Sequence, residues 1–257
     1  MANYPNTFVS LMIHTSGYPT AWGNTRISFY AVSAVPTGWF DGWIERRGAY
    51  TDPNQMYNWY LNAYLTAMAQ PTDVVIELNA FKIASNQVKV NADISVEPTG
   101  AGKNMRVHMV LALDHWPPGY AWIRDSVKVG ADKGIITVNP GQTVRLSQEF
   151  TLDPDCLAQP NDVKIVVFAQ MPNAQAPANI YNTAFVRGPI NWLKGDMNCD
   201  GAVGFLDINP FVLALTNPSG YQAAYPNCNI MNADINGDNV VDFLDINPFV
   251  RLLTSPP

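Results

Sequence analysis

A multidomain α+β chain is the fold class this sequence predicts, on three observations. Seven short alternating or β-branched segments fill its middle, an apolar-faced helix precedes them, and an acidic unit near the C-terminus occurs twice. At roughly 150 residues per domain, 257 residues leave room for about two domains or more. With 47% hydrophobic and 14% charged residues, the chain is rich enough in apolar side chains to bury cores. The net charge is −6 and Lys and Arg form no run, so the basic footprint required by nucleic acid or an anionic membrane surface is missing. No stretch approaches the roughly 18 apolar residues of a membrane span, and no membrane insertion is expected. The longest early apolar run, Phe8 to Ile13, is shorter than the apolar core of an export signal, so the chain as given shows no such signal.

The first region, residues 1–72, begins with Phe8–His14, which reads as a buried strand. Asn24–Val32 reads as a short helix, and Thr37–Arg47 as two strands turning at Asp41-Gly42. Asp52 is then placed to cap a helix with Pro53 at its first position and Gln55 at its third. Met56, Trp59, Tyr60, Ala63, Tyr64 and Ala67 make one apolar face before Pro71 ends the pattern.

Tyr30-Ala-Val-Ser-Ala-Val35-Pro36-Thr37-Gly-Trp-Phe-Asp41-Gly42, followed by Gly48-Ala-Tyr50 and this helix, resembles the second half of a thioredoxin-like fold. The resemblance implies a cis peptide bond before Pro36, an isomer adopted by only about 5–6% of X-Pro bonds in general. No C-x-x-C occurs, so thiol–disulfide exchange would need an upstream segment. Either the chain is a fragment of a longer redox protein, or the half-fold is a packing element. Truncation is favoured, because half a sheet leaves an apolar edge and face uncovered.

Residues 73–188 hold the seven strand-like segments, 74–84, 87–96, 105–113, 126–129, 143–151, 163–171 and 181–186, which together suggest an Ig-like β-sandwich. Val88, Val90, Ala92, Ile94 and Val96 alternate with Lys89, Asn91, Asp93 and Ser95, giving one core face and one wet face. Asp114-His115-Trp116-Pro-Pro-Gly-Tyr120-Ala-Trp122 interrupts this pattern with aromatics. Such a loop either stacks on a sugar or peptide or folds over the end of the sandwich. His14, His108 and His115 share no metal-ligand spacing, and no hydrolytic triad is readable, so no catalytic residue is assigned.

After a linker at 189–194, residues 195–257 carry the repeat. Asp196-Met-Asn-Cys-Asp-Gly-Ala-Val-Gly-Phe-Leu-Asp207-Ile-Asn-Pro-Phe-Val212 recurs 38 residues later as Asp234 to Val250. From Trp192 onward there are seven Asp, no Glu and only Lys194 and Arg251 as bases, which puts −5 of the −6 in this segment. Carboxylates so concentrated repel one another unless a cation neutralises them. Oxygen side chains stand at loop positions 1, 3, 5 and 12, the spacing with which an EF-hand-like loop wraps Ca²⁺. The first loop offers Asp196, Asn198, Asp200, Asp207 and the carbonyl of Ala202. The second offers Asp234, Asn236, Asp238, Asp245 and the carbonyl of Val240, with Asp242 at position 9.

Position 6, where the turn needs positive φ, is Gly201 or Asn239. Each loop runs into an i, i+3, i+4, i+7 stripe, Ile208, Phe211, Val212, Leu215 and Ile246, Phe249, Val250, Leu253, with Pro210 and Pro248 in the first turn. Cys199 and Cys228 are placed so that a disulfide can staple the repeat across its connecting segment, leaving Cys156 free.

This duplicated loop-and-exiting-helix resembles the dockerin domain of secreted bacterial proteins. The resemblance implies two Ca²⁺ ions, a cohesin-like protein partner and an extracellular or cell-surface location. It also implies a partner-binding role for positions 10 and 11, here Phe205-Leu206 and Phe243-Leu244, where the family is often hydroxylic. A second reading of those four side chains is that they pack the helices together. The leading expectation is a non-catalytic docking protein. The alternatives are a truncated thiol–disulfide oxidoreductase and a carbohydrate-binding module, with polysaccharide as its partner, carried by the dockerin-like unit.

Overall fold

The computed structural model describes residues 7–118 and 123–254. It is a mixed α/β chain with several antiparallel sheets and divides into two compact units. One combines the chain up to Asn79 with Asn91–Gln148 and Asp162–Arg187; the other combines Ala80–Val90, Glu149–Asn161 and the segment from Gly188 onward. The region 1–72 therefore shares its unit with most of the strands of 73–188. No described helix is long and apolar enough to cross a membrane.

The first unit starts with α1 (Ala21–Phe29), whose cap is Thr20: its side chain accepts the Gly23 N–H. The helix begins earlier than Asn24 because this cap satisfies the first turn. A hairpin of β1 (Thr37–Phe40) and β2 (Ile44–Arg47) follows, with Asp41 and Gly42 both at positive φ in its turn. Next comes α2 (Pro53–Met68), capped by Asp52 and burying Ala63, Tyr64 and Ala67. The run at 8–14 is not a ladder strand: Met12 makes one parallel bridge with Ser126. Val9, Leu11 and Ile13 instead pack over a sheet as an apolar cover.

Seven strands form two sheets. The strands β3 (Val74–Ala84), β4 (Gln87–Val96) and β7 (Thr143–Thr151) make one, in the order β3-β4-β7. The other has the order β6-β5-β8-β9, from β5 (Lys103–Leu113), β6 (Ser126–Val138), β8 (Val163–Gln170) and β9 (Ile180–Arg187). Strand β6 runs nine residues past the sequence expectation, through a bulged register with β5 that absorbs its polar stretch. Every residue of β8 is buried, so both faces of the four-stranded sheet are covered. On one face Val110, Val127, Val166 and Phe168 pack with Trp22 of α1. That approach requires Gly130, where a Cβ would lie 2.4 Å from the Trp22 ring. The alternation of β4 survives, with Val88, Val90, Ala92, Ile94 and Val96 all buried.

In the second unit, the stretch 189–194 is held by structure rather than running free: Lys82 N–H donates to Asn191 O (2.8 Å), and Lys82 bridges to Trp192. The short helix α3 (Pro154–Ala158) buries Cys156. The repeat then forms α4 (Ile208–Thr216), α5 (Pro218–Ala224) and α6 (Ile246–Thr254) around Met197, Phe211, Ala214, Tyr221, Cys228, Ala233 and Phe249. Phe211 and Phe249, equivalent residues of the two copies, stack with centroids 4.1 Å apart. The helix α5 is not among the sequence expectations. Its start signal is Asn217, which caps Gly220 N–H, followed by Pro218 at the first helical position.

Candidate metal centres

The two loops share the same bonds at positions 3, 5 and 12. In the first, Asp207 Oδ1 accepts the Met197 and Asn198 N–H groups (2.7 and 3.1 Å), and Oδ2 accepts Gly204 N–H (2.8 Å). In the second, Asp245 Oδ1 accepts from Ile235 and Asn236 (2.8 and 3.1 Å), and Oδ2 accepts from Asp242 (3.0 Å). Asn198 and Asn236 accept from Asp200 and Asp238 N–H, both at 2.9 Å, while their side-chain amides donate back to those carboxylates. Asp200 and Asp238 accept in turn from Ala202 and Val240 N–H. A short Asx-turn chain of this kind curls the backbone so that its side-chain oxygens face the loop interior.

Position 6 has the conformation its residue types suggest, φ +83° at Gly201 and +68° at Asn239. Position 4 is left-handed too, at Cys199 (φ +58°) and Gly237 (φ +80°), a requirement that only Gly237 signals in the sequence. Cys199 and Cys228 form a disulfide with Cα atoms 5.9 Å apart. Asp242 also caps the turn Phe243–Asp245, its Oδ1 accepting Leu244 N–H at 2.8 Å.

The position-1 aspartates differ. Asp196 is buried, its Oδ2 accepts Gly201 N–H, and its Oδ1 has no partner among the described residues. Burial, reinforced by the charges of Asp207 and Asp200, pushes its carboxyl up to about 6. Asp207 is raised as well, chiefly by burial. At Asp234 burial acts in the same sense, but the Lys194 ammonium, 3.1 Å from Oδ2 and 2.5 Å from the Asp234 carbonyl, together with Gly237 N–H, holds the carboxyl below its usual range. No sequence pattern assigns Lys194 to this loop. Nor does one mark Lys89, whose ammonium donates to Asp200 O at 2.7 Å, or buried Asn232, whose amide donates to Asp196 O at 2.8 Å. Among the described residues no three His, Cys, Asp or Glu side chains are gathered as a metal cluster. Each loop mixes carboxylates with Asn and main-chain oxygens, a donor set suited to Ca²⁺, and the unpartnered Asp196 Oδ1 fits a cation in the first loop.

The apolar pairs after each loop face solvent. Phe205, Leu206, Phe243 and Leu244 are 81, 73, 71 and 67% exposed. Ile208, Val212, Ile246 and Val250, expected on the buried stripe, are exposed as well. The inward face is instead set by Phe211 with Ala214 and by Phe249, a slightly rotated register that lets the two Phe rings stack.

Elsewhere, the Val35–Pro36 peptide bond is cis. Trp116 lies edge-on to Tyr18, and the Lys128 ammonium sits 3.5 Å from its ring centre, so this aromatic is folded against its own chain. Tyr120 and Trp122, the other aromatics of that loop, lie outside the described residues.

No protein-family model matches the sequence, and no curated protein matches it. Solved structures with a partial likeness include HBP35 of Porphyromonas gingivalis, 14% identical over 64% of this chain and 56% of that one, with a TM-score of 0.48. A domain of the outer membrane lipoprotein Omp28 from the same organism is 12% identical over 48% of this chain and 93% of its own, with a TM-score of 0.31. The sporulation control protein Spo0M from Bacillus subtilis is 13% identical, covers 48% and 50%, and has a TM-score of 0.33. The chain spans little more than half the length of HBP35, and all three are partial likenesses of fold at low identity.

Proposed function

We propose that residues 195–257 form a dockerin-like module that binds two Ca²⁺ ions and attaches the chain to a cohesin-like protein partner outside the cell or at its surface. Asp196, Asn198, Asp200, Asp207 and the Ala202 carbonyl would hold one ion. Asp234, Asn236, Asp238, Asp245 and the Val240 carbonyl would hold the other, with Asp242 adding charge beside it. When bound, each ion supplies the positive charge that lets its carboxylates stay close together. The observation that carries the reading is Asp196 Oδ1, a buried carboxylate oxygen inside an acidic loop with no hydrogen-bond partner among the described residues. Leaving such an atom unpaired costs on the order of 1–3 kcal/mol, which a cation removes.

The docking half rests on two quartets of exposed apolar side chains, equivalent in the two copies, on a chain that otherwise buries most of its large apolar residues. An extracellular or surface location is supported by the Cys199–Cys228 disulfide, since such bonds persist in oxidising compartments.

Calorimetry with the whole chain tests the first half: two Ca²⁺ ions per molecule are expected, and one or none rejects the ligand assignment. Capture on an immobilised cohesin domain tests the second. Binding should need calcium and should be lost in the Phe205→Asp, Phe243→Asp double variant, and capture that persists in a chelator refutes the docking reading.

A further inference from the structure

The first unit holds a half-open cavity of about 500 Å³ between the segment 7–13, α1, the β1–β2 hairpin, α2 and the four-stranded sheet. That size is typical of small-molecule sites. Its wall is mostly apolar and includes the aromatic rings of Trp22, Tyr30, Trp39, Tyr60, Tyr64 and Phe168. One cationic group, Arg26, lines it while only 3% exposed.

The hydrogen-bond groups of this wall do not balance. Arg26 donates to Gln170 Oε1 (2.6 Å) and to Tyr30 OH (3.1 Å), and its Nη1 faces His108 Nε2 at 3.2 Å. Trp22 Nε1 points at His108 Nδ1 from 3.3 Å. A neutral imidazole accepts at only one of its two nitrogens, so two pure donors compete for one acceptor. Protonation would turn both ring nitrogens into donors, and burial with the neighbouring Arg26 charge opposes it, holding His108 down at about 3. A third donor, Trp39 Nε1, is buried with no partner among the described residues. Trp39 and Arg26 lie on the same Tyr30 ring, at 5.0 Å and 4.9 Å from its centre.

Arg26 is also without an ion pair among the described residues, and the neighbouring Asp132 is taken by Arg106 at 2.6 Å. Asp41 lines the cavity too, and burial raises its carboxyl, which disfavours the charged form there.

We propose that this cavity binds a small aromatic or apolar carboxylate, whose anionic head meets Arg26 and Trp39 while its body fills the aromatic walls. The carboxylate supplies acceptors for Trp39 Nε1 and a counter-charge for the unpaired Arg26, and the cavity supplies an apolar surface for the ring. This site is independent of the calcium loops and stands or falls without them.

The test uses the whole chain with 2-naphthoate as probe and 2-naphthylmethanol as its neutral counterpart, followed by calorimetry and tryptophan fluorescence. Naphthoate should bind one per chain, change the emission of Trp22 and Trp39, and bind roughly tenfold more tightly than the alcohol, the share of about one charge-assisted hydrogen bond. Arg26→Gln should erase the preference for the acid while the alcohol still binds. Should that variant fail to fold, Trp39→Phe, which removes only the unpartnered donor, should weaken the acid several-fold and the alcohol by clearly less. Ala67→Phe, which fills the cavity and keeps the guanidinium, should lose both ligands. Absence of naphthoate binding at millimolar concentration, equal binding of acid and alcohol, or undiminished binding to Ala67→Phe overturns the proposal.

Discussion

Replacing Asp207 by Asn keeps the shape of the side chain and removes its charge. Asp207 accepts three backbone N–H groups, two at Oδ1 and one at Oδ2. An amide has one acceptor oxygen. Turned to keep Met197 and Asn198, it sets an NH₂ group against Gly204 N–H, so at least one bond to a charged acceptor is lost. Such bonds contribute about 1.5–3 kcal/mol, and without metal the variant should be about 2 kcal/mol less stable in this loop. In calcium at 100 times the dissociation constant, a bound ion adds about 2.7 kcal/mol to the wild type that the variant forfeits, raising the difference to about 4.7. Native-state hydrogen exchange at the Met197 and Asn198 amides reads both values. Exchange in the variant should be about 30-fold faster in chelator and about 3,000-fold faster in calcium. Equal acceleration in the two buffers would mean that Asp207 holds the backbone and no ion. Asp245→Asn should reproduce the pattern at Ile235 and Asn236, whose bonds have the same lengths to within 0.1 Å.

Four further outcomes are expected. Calcium affinity should rise with pH through the window from 3.8 to about 6, because Asp196 must ionise to act as a ligand. Metal-free stability should fall over the same window, since a carboxyl raised on folding favours the protonated native state; calorimetry at pH 5 and 7 and denaturation in chelator check the two signs, and tighter calcium binding at pH 5 contradicts the assignment. Lys194→Met should strengthen binding at the second loop by about two- to fivefold, the value of a half-exposed ion pair, and a weaker second site would show that the ammonium supports the loop rather than competing for Asp234. Cys199→Ser with Cys228→Ser, opening a 29-residue separation, should destabilise the C-terminal helices by about 3–4 kcal/mol in urea unfolding, and a change under 1 kcal/mol would place the bond's effect elsewhere.

The repeat was legible in the sequence because each loop is local. Its side-chain oxygens lie within twelve residues, their spacing follows from turn geometry, and Gly201 and Asn239 mark where φ must be positive. The strands were legible for a similar reason: alternation such as Val88 to Val96 requires only a neighbour on one face, and observed bounds follow the pattern to within a few residues, except in β6. The apolar run at 8–14 misled because a strand and an apolar cover share one pattern, and only the sheet beneath Val9, Leu11 and Ile13 distinguishes them.

By itself, the chain's order of residues determined the loops, the helix starts and most strand limits, since caps, turns and period-2 patterns act over a few residues. Tertiary structure alone decided which side of α4 and α6 faces inward, through the stacking of Phe211 on Phe249 across 38 positions. It alone placed Lys89 and Lys194 at the acidic loops, and it gathered Arg26, His108 and Gln170 from α1, β5 and β8 beside one cavity. Charge and hydrogen-bond balance in a buried site depend on groups far apart in sequence, and no local pattern records their meeting.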